Sequence, residues 1–105
     1  LPVLDAVLER LIPLHKPIRV EGHTDDRPVR GARFRSNWEL SASRAAAVAS
    51  YIEKSRDFPG AMLSAFGFGS SRPLPSNEQA DGRDLNRRLV LVVELQPGGL
   101  VRPRN

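Results

Sequence analysis

Cysteine is absent from this sequence of 105 residues, and histidine occurs only as His15 and His23. The lack of cysteine excludes thiolate catalysis, zinc-thiolate sites and disulfide bonds, although it does not select a cellular compartment. Neither histidine has a second histidine at a ligand spacing, so we expect no metal site and no cofactor. His23 is expected to be a hydrogen-bonded structural residue.

Long apolar runs are also missing. No stretch approaches the roughly 20 apolar residues that span a bilayer, and the sequence opens on a helical pattern without the features of a signal peptide. We therefore expect neither an anchor nor a targeting segment here, and interpret the sequence as one domain of a longer protein. A composition of 40% hydrophobic and 27% charged residues fits a domain that folds without disulfides or metal.

The formal net charge of +4 favours contact with nucleic acid, anionic lipid or another acidic polymer. A nucleic-acid module usually concentrates its basic residues on one helix or interleaves them with aromatics. Here the arginines are spread from Arg10 to Arg104, and the aromatics are one Trp, one Tyr and four Phe. A basic module for nucleic acid or an anionic polymer therefore remains the alternative, to be distinguished by where the charges lie.

The first third of the sequence predicts a helix, a strand and a loop. Apolar residues at i, i+3, i+4 and i+7 predict an amphipathic helix over residues 3–12. Alternation over residues 18–23 predicts a strand that runs into a turn at residues 24–28. Residues 27–35 carry four arginines without periodicity. They are predicted to form a mobile loop that attracts ligand only at long range.

A capping box precedes the second predicted helix, which covers about residues 37–54. Ser36 and Glu39 form the S-x-x-E pattern, in which the serine accepts a backbone N–H bond and the glutamate reaches back to the cap. Small side chains on the core-facing stripe indicate close packing against a sheet. The stripe consists of Ala45, Val48, Ala49 and Ile52.

The remaining residues predict two strands separated by a loop. Alternation at residues 63–67 predicts a strand, and residues 72–85 are polar and predicted to be irregular. The continuous apolar run over residues 89–93 is typical of a strand covered on both faces, so we expect it at the centre of the sheet. The domain is predicted to cover residues 1–95, and residues 96–105 to form a flexible tail.

Three segments carry a resemblance to a known family. They are Gly22-His23-Thr24-Asp25, Asn37-Trp38-Glu39-Leu40-Ser41-Ala42-Ser43-Arg44-Ala45 and Gly82-Arg83-Asp84-Leu85-Asn86-Arg87-Arg88. In this order, with a helix between the first strand and a final apolar strand, they resemble the OmpA-like C-terminal domain family over about residues 4–95. The run Ser-Asn-Trp-Glu-Leu-Ser is most similar to the branch of the flagellar stator protein MotB.

The resemblance implies an α/β (α+β) fold, a βαβαβ sandwich with two main helices on one face of a small mixed parallel and antiparallel sheet. It implies noncovalent binding of peptidoglycan through the diaminopimelate stem peptide, in the periplasm. It implies no enzymatic activity, and the sequence offers neither a nucleophile with a base nor a metal cluster. Nucleic acid is not expected as a partner.

The resemblance also concerns the whole protein. It implies a membrane-anchored envelope or flagellar-motor protein, with stator or envelope partners outside this sequence. The family's usual first strand has no counterpart ahead of the first helix. The edge that this exposes favours pairing into a homodimer, although the sequence leaves the oligomeric state open.

The family pattern places an acid at Asp25 and a base at Arg44. Diaminopimelate ends in an ammonium and a carboxylate on one carbon, so its receptor needs one group of each sign. A guanidinium holds a carboxylate with two parallel hydrogen bonds, and an aspartate accepts from an ammonium. The alternatives are a turn-forming role for Asp25 and a solvated position for Arg44, although the neighbouring alanines indicate partial burial of Arg44.

Further residues are predicted to line the same pocket. Thr24 and Asn37 are interpreted as polar positioners. Of Arg87 and Arg88, one is expected to reach the ligand while the other forms a structural ion pair, and the sequence does not say which. One helical face is expected to line the pocket, because its residues are spaced at offsets 0, 3, 4 and 7. These residues are Asn37, Leu40, Ser41 and Arg44.

Overall fold

Helices and strands alternate along the chain in the computed structural model, which describes residues 2–74 and 80–94. In chain order the elements are α1 (Pro2–Leu11), β1 (Ile18–His23), α2 (Asn37–Ser55), β2 (Leu63–Gly67), α3 (Ala80–Asn86) and β3 (Arg88–Val93). Short 3₁₀ turns lie at Ile12–Leu14 and Gly60–Met62. Within the two described ranges, no helix combines the length and the apolar character that crossing a bilayer requires.

Proline and side-chain caps set the helix boundaries. Pro2 lies in the first turn of α1, where its missing N–H breaks no helical hydrogen bond, and Pro13 lies in the 3₁₀ turn that follows the helix. Ser36 caps α2 by accepting the backbone N–H of Glu39 at 3.2 Å. The prediction that Glu39 reaches back to the backbone N–H of Ser36 is wrong. The Glu39 carboxylate instead accepts the N–H one residue further out, that of Arg35, at 3.0 Å.

The described strands form a sheet in the order β2-β1-β3, with β1 parallel to β2 and antiparallel to β3. The predicted mixed sheet is therefore confirmed. The prediction that the final strand is central is wrong, because β1 occupies that place among the described strands. No residue of β3 is fully buried. Its continuous apolar run therefore reflects partial burial on both faces of an edge strand.

The core lies between the two main helices and one face of the sheet. Ile18 and Val20 alternate along β1 and are both buried, so α1 and α2 pack on the same face. The predicted stripe on α2 is confirmed, since Ala45 and Ile52 are fully buried and the other two members pack beside them. The buried members of the core are Leu8, Ile18, Val20, Ala45, Ile52 and Phe58.

Helix α2 approaches the sheet so closely that two strand positions require glycine. A Cβ atom on Gly22 would lie 2.3 Å from the backbone oxygen of Ser41, and one on Gly67 would lie 2.4 Å from the backbone nitrogen of Ala42. Non-bonded heavy atoms normally stay about 3.5–4.0 Å apart. Gly22 and Gly67 are paired in register across β1 and β2. Together they form a flat surface on which the backbone of α2 rests.

A short helix lies in the second half of the predicted loop over residues 72–85, so this part of the prediction is wrong. The seven residues of α3 are too few to show an apolar period, and Gly82 disfavours a helix. Tertiary contacts stabilise it instead. The fully buried Asn86 side chain accepts the backbone N–H of Leu74 at 2.8 Å and a bond from Arg88 at 3.1 Å. The predicted tail over residues 96–105 lies outside the described residues.

Gly22→Ala is expected to lower the free energy of unfolding by roughly 1–3 kcal/mol or more, because α2 must move off the sheet to admit the methyl group. Gly60→Ala is the matched control, since its Cβ would meet only the flexible side chain of Glu53 within 4 Å. Urea unfolding followed by circular dichroism measures both variants. Equal stability of Gly22→Ala and wild type would show that this close approach is not required.

Candidate ligand-binding site

A cavity of about 350 Å³ opens where β1 ends, beside the first turns of α2. The C-terminal end of a strand is where open α/β sheets usually bind ligands. The cavity brings together every residue predicted for the site except Ser41 and Arg88. These lining residues are Thr24, Asp25, Asn37, Leu40, Arg44 and Arg87.

Asp25 is the buried acid of the cavity, with 4% of its surface exposed. Its Oδ1 accepts the backbone N–H of Arg27 at 3.0 Å, which also makes it the turn former that the sequence allowed. Its Oδ2 accepts from Nε of Arg27 at 3.0 Å, from Nη2 of Arg27 at 2.6 Å and from Arg87. Burial by itself raises the pKa of Asp25, but the bonds from Arg27 and Arg87 outweigh it and lower the pKa to about 2.

Thr24 and Asn37 hold the backbone around Asp25. Thr24 is buried, and its hydroxyl donates to the carbonyl oxygen of Asp25 at 2.8 Å. The backbone N–H of Thr24 donates to the carbonyl oxygen of Gly69 at 2.8 Å. The side-chain amide of Asn37 donates to the carbonyl oxygens of Arg27 at 3.0 Å and Asp25 at 3.4 Å. Both side chains therefore fix the turn that presents the acid.

The predicted face of α2 is divided between the cavity and the sheet. Leu40 and Arg44 line the cavity. Ser41 is fully buried under the sheet, where its hydroxyl accepts the backbone N–H of Gly69 at 2.9 Å. The predicted partial burial of Arg44 is wrong. Ala45 takes the core position, and Arg44 is turned about 100° away from it and is exposed.

The two arginines beyond α3 have different surroundings. Arg87 lines the cavity and contacts the Asp25 carboxylate. Arg88 lines a smaller neighbouring cleft, where it donates to the side-chain oxygen of Asn86 and to the carbonyl oxygen of Arg72, each at 3.1 Å. Arg88 is thus held by neutral oxygen atoms and forms no ion pair within the described residues. The predicted division of roles is wrong, because Arg87 both lines the cavity and forms the ion pair, with Asp25.

Four lining residues are absent from the predicted site: Arg27, Pro28, Val29 and Arg30. They belong to the loop that the sequence assigned only a long-range role, yet Arg27 contacts Asp25 directly. The signal was present, because an aspartate that accepts the N–H two residues later draws that residue toward its carboxylate. With these residues, the lining holds four arginines against one aspartate and is strongly basic.

His23 is buried and lines the smaller cleft with Arg88, and it is a hydrogen-bonded structural residue, as the sequence predicts. Its ring stacks on Phe68 with the centroids 5.3 Å apart, and its Nε2 lies 3.3 Å from Oε1 of Glu21. Burial lowers the pKa of His23 more than the bond to Glu21 raises it. No group of three His, Cys, Asp or Glu side chains suited to a metal ion is found in the described part of the chain.

Comparison with known proteins gives consistent matches. The OmpA family profile matches residues 3–87. Motility protein B of Bacillus subtilis is 33% identical over 88 residues, 82% of this chain and 34% of that protein. The peptidoglycan-binding protein ArfA of Mycobacterium bovis is 37% identical over 76 residues, 72% of this chain and 22% of that protein. The cell wall anchor of the T6SS from Pseudomonas aeruginosa has a TM-score of 0.81 at 34% identity, covering 88% of this chain and 64% of that structure.

The chain belongs to the OmpA family. This is a family of structural peptidoglycan-binding domains and not of enzymes. The similar proteins are periplasmic and envelope proteins, which confirms the predicted location in the cell envelope. The chain spans about a third of the length of motility protein B, 34%, so it corresponds to one part of such a protein.

The ion pairs of Asp25 predict a pH dependence of stability. Because its pKa is lowered from 3.8 to about 2, the stabilisation is present above the unfolded value and is lost as the pH falls through about 2. It amounts to at most about 2 kcal/mol, reduced by solvent screening at the partly exposed arginines.

The difference in unfolding free energy between wild type and Asp25→Asn should therefore shrink between about pH 5 and pH 2. Urea unfolding at a series of pH values measures it, and the other carboxyl groups cancel because they titrate in both proteins. A difference that stays constant over this range would show that Asp25 gains nothing from its arginine partners.

Proposed function

We propose that this domain binds peptidoglycan noncovalently and so anchors the protein that carries it to the cell wall. The observation that carries the proposal is one buried carboxylate, Asp25, set among four arginines in a single cavity. Such a site suits a ligand that bears a carboxylate and an ammonium close together. Two of the similar proteins, a peptidoglycan-binding protein and a cell wall anchor, support this assignment.

The proposed contact is the diaminopimelate residue of the stem peptide. Arg44 and Arg87 would hold its carboxylate, and Asp25 would accept from its ammonium. Arg44 is suited to this role because it is exposed and forms no ion pair within residues 2–74 and 80–94. Leu40 and Val29, which also line the cavity, offer apolar contact to the methylene groups between the two ends of the ligand.

The parent is proposed to be a membrane-anchored envelope protein of the stator type. The similarity to motility protein B supports this, since it extends over 82% of the chain. A homodimer is proposed to pair along β3, an edge of the described sheet that carries the exposed Leu89 and lies near the exposed Val3 of α1. Sedimentation at increasing protein concentration tests the pairing.

A basic module for nucleic acid or an anionic polymer is the second candidate, favoured by the exposed arginines of the loop over residues 27–35. It predicts binding by charge alone, with an affinity that falls steeply as salt rises. Cosedimentation with purified sacculi and with duplex DNA at several salt concentrations separates the two candidates. We expect retention on sacculi and not on DNA at physiological salt, and the reverse would favour the second candidate.

Arg44→Ala is expected to weaken binding of a diaminopimelate muropeptide by about tenfold, because a bond to a charged group is lost at an exposed position. Arg44→Lys should restore little, since a point charge does not reproduce the planar fork. Calorimetric titration measures both variants. Arg10→Ala removes the same charge from α1 and serves as the control. Equal weakening by Arg10→Ala and Arg44→Ala would reduce the effect to net charge and contradict the proposed site.

A further inference from the structure

The guanidinium of Arg27 lies on the acid that the proposed ligand needs. Its Nε and Nη2 donate to Oδ2 of Asp25 at 3.0 Å and 2.6 Å. Arg87 donates to the same oxygen. The one carboxylate of the cavity is therefore shared by two cations, and its Oδ2 already accepts three N–H bonds from them.

The charges that line the cavity also disfavour an incoming ammonium. Asp25 faces Arg27 and Arg87 directly, while Arg30 and Arg44 add two further positive charges to the lining. In this arrangement the cavity attracts a carboxylate, but an incoming ammonium meets an excess of positive charge. An ammonium therefore gains a place on Oδ2 of Asp25 only when one of the two guanidinium groups leaves that oxygen.

Exposure indicates which arginine leaves. The Arg27 side chain is 55% exposed and extends from a segment without helix or strand. The Arg87 side chain is 37% exposed, and its backbone N–H is bonded to the carbonyl oxygen of Arg83 at 3.1 Å. Arg27 is thus the partner that can rotate into solvent, while Arg87 remains to hold the carboxylate of a ligand.

The turn that presents Asp25 does not depend on the Arg27 side chain. The backbone N–H of Arg27 donates to Oδ1 of Asp25, and Asn37 holds the carbonyl oxygen of Arg27 at 3.0 Å. Neither bond involves the guanidinium. Its departure would therefore leave the Asp25 carboxylate oriented as before, with Oδ2 open toward the cavity.

The geometry points to Arg27 as an internal competitor for the ammonium position on Asp25, and hence as a specificity determinant of this site. The inference rests on the proposed function. A ligand that offers an ammonium must displace Arg27, whereas a ligand that offers only a carboxylate binds the arginines without displacing it. Arg27 thereby lowers the affinity for ammonium-bearing ligands and leaves that for plain carboxylates unchanged.

Calorimetric titration of Arg27→Ala with a muropeptide bearing diaminopimelate tests the inference. Affinity should rise by roughly two- to fivefold, the effect of removing one exposed ion pair. The same muropeptide acetylated on the diaminopimelate amine keeps the carboxylate and loses the ammonium, so its affinity should not rise. Arg33→Ala is the matched variant, because it removes the same charge from the same loop at a position outside the cavity lining.

The outcomes separate the inference from the proposed function. A wild-type protein that binds neither muropeptide would refute the proposed function. A wild type that binds, together with an Arg27→Ala variant that binds equally or more weakly, would refute the competitor role and make Arg27 a ligand contact or a bystander. Arg27→Gln, which keeps the backbone and most of the stem, repeats the test if the alanine variant does not fold.

Discussion

The contact between the backbone of α2 and the glycines of β1 and β2 is the constraint on which the site depends. Gly22 and Gly67 leave no space between strand and helix, with a virtual Cβ on either within 2.4 Å of α2 backbone atoms. This contact fixes α2 beside the end of β1, so that Leu40 and Arg44 reach the cavity that Asp25 enters from the strand. A larger residue at either glycine would separate the two halves of the site before it affected any polar contact.

A second constraint follows from burying a carboxylate at this position. A buried charge is tolerated only when it is paired and hydrogen-bonded, and Asp25 receives its partners from the turn and from the end of α3. The same pairing that makes the acid stable in the fold also covers it. Stabilisation of the buried charge and access for a ligand ammonium are therefore in competition, because the exposed side chain of Arg27 supplies part of the pairing.

Much of the fold and of the candidate site could be predicted from the sequence, because the signals for them were local. Helical and alternating periods identified α1, α2, β1 and β2, a continuous apolar run identified β3, and three short segments identified the family. The central place of β1, the short helix α3 and the contact of Arg27 were not predictable in the same way. Each depends on tertiary packing: strand order on which edges pair, α3 on the buried Asn86, and Arg27 on a turn that returns its side chain to Asp25.

The proposed function requires that one cavity, and not the basic surface as a whole, recognises the cell wall. Nuclear magnetic resonance of the isotope-labelled domain, titrated with a diaminopimelate muropeptide at physiological salt, tests it most directly. We expect saturable shifts with little change at Arg10 or Arg33. The shifts should be concentrated on the cavity residues Thr24, Asp25, Asn37, Arg44 and Arg87. Shifts spread over the exposed arginines and abolished by added salt would contradict it.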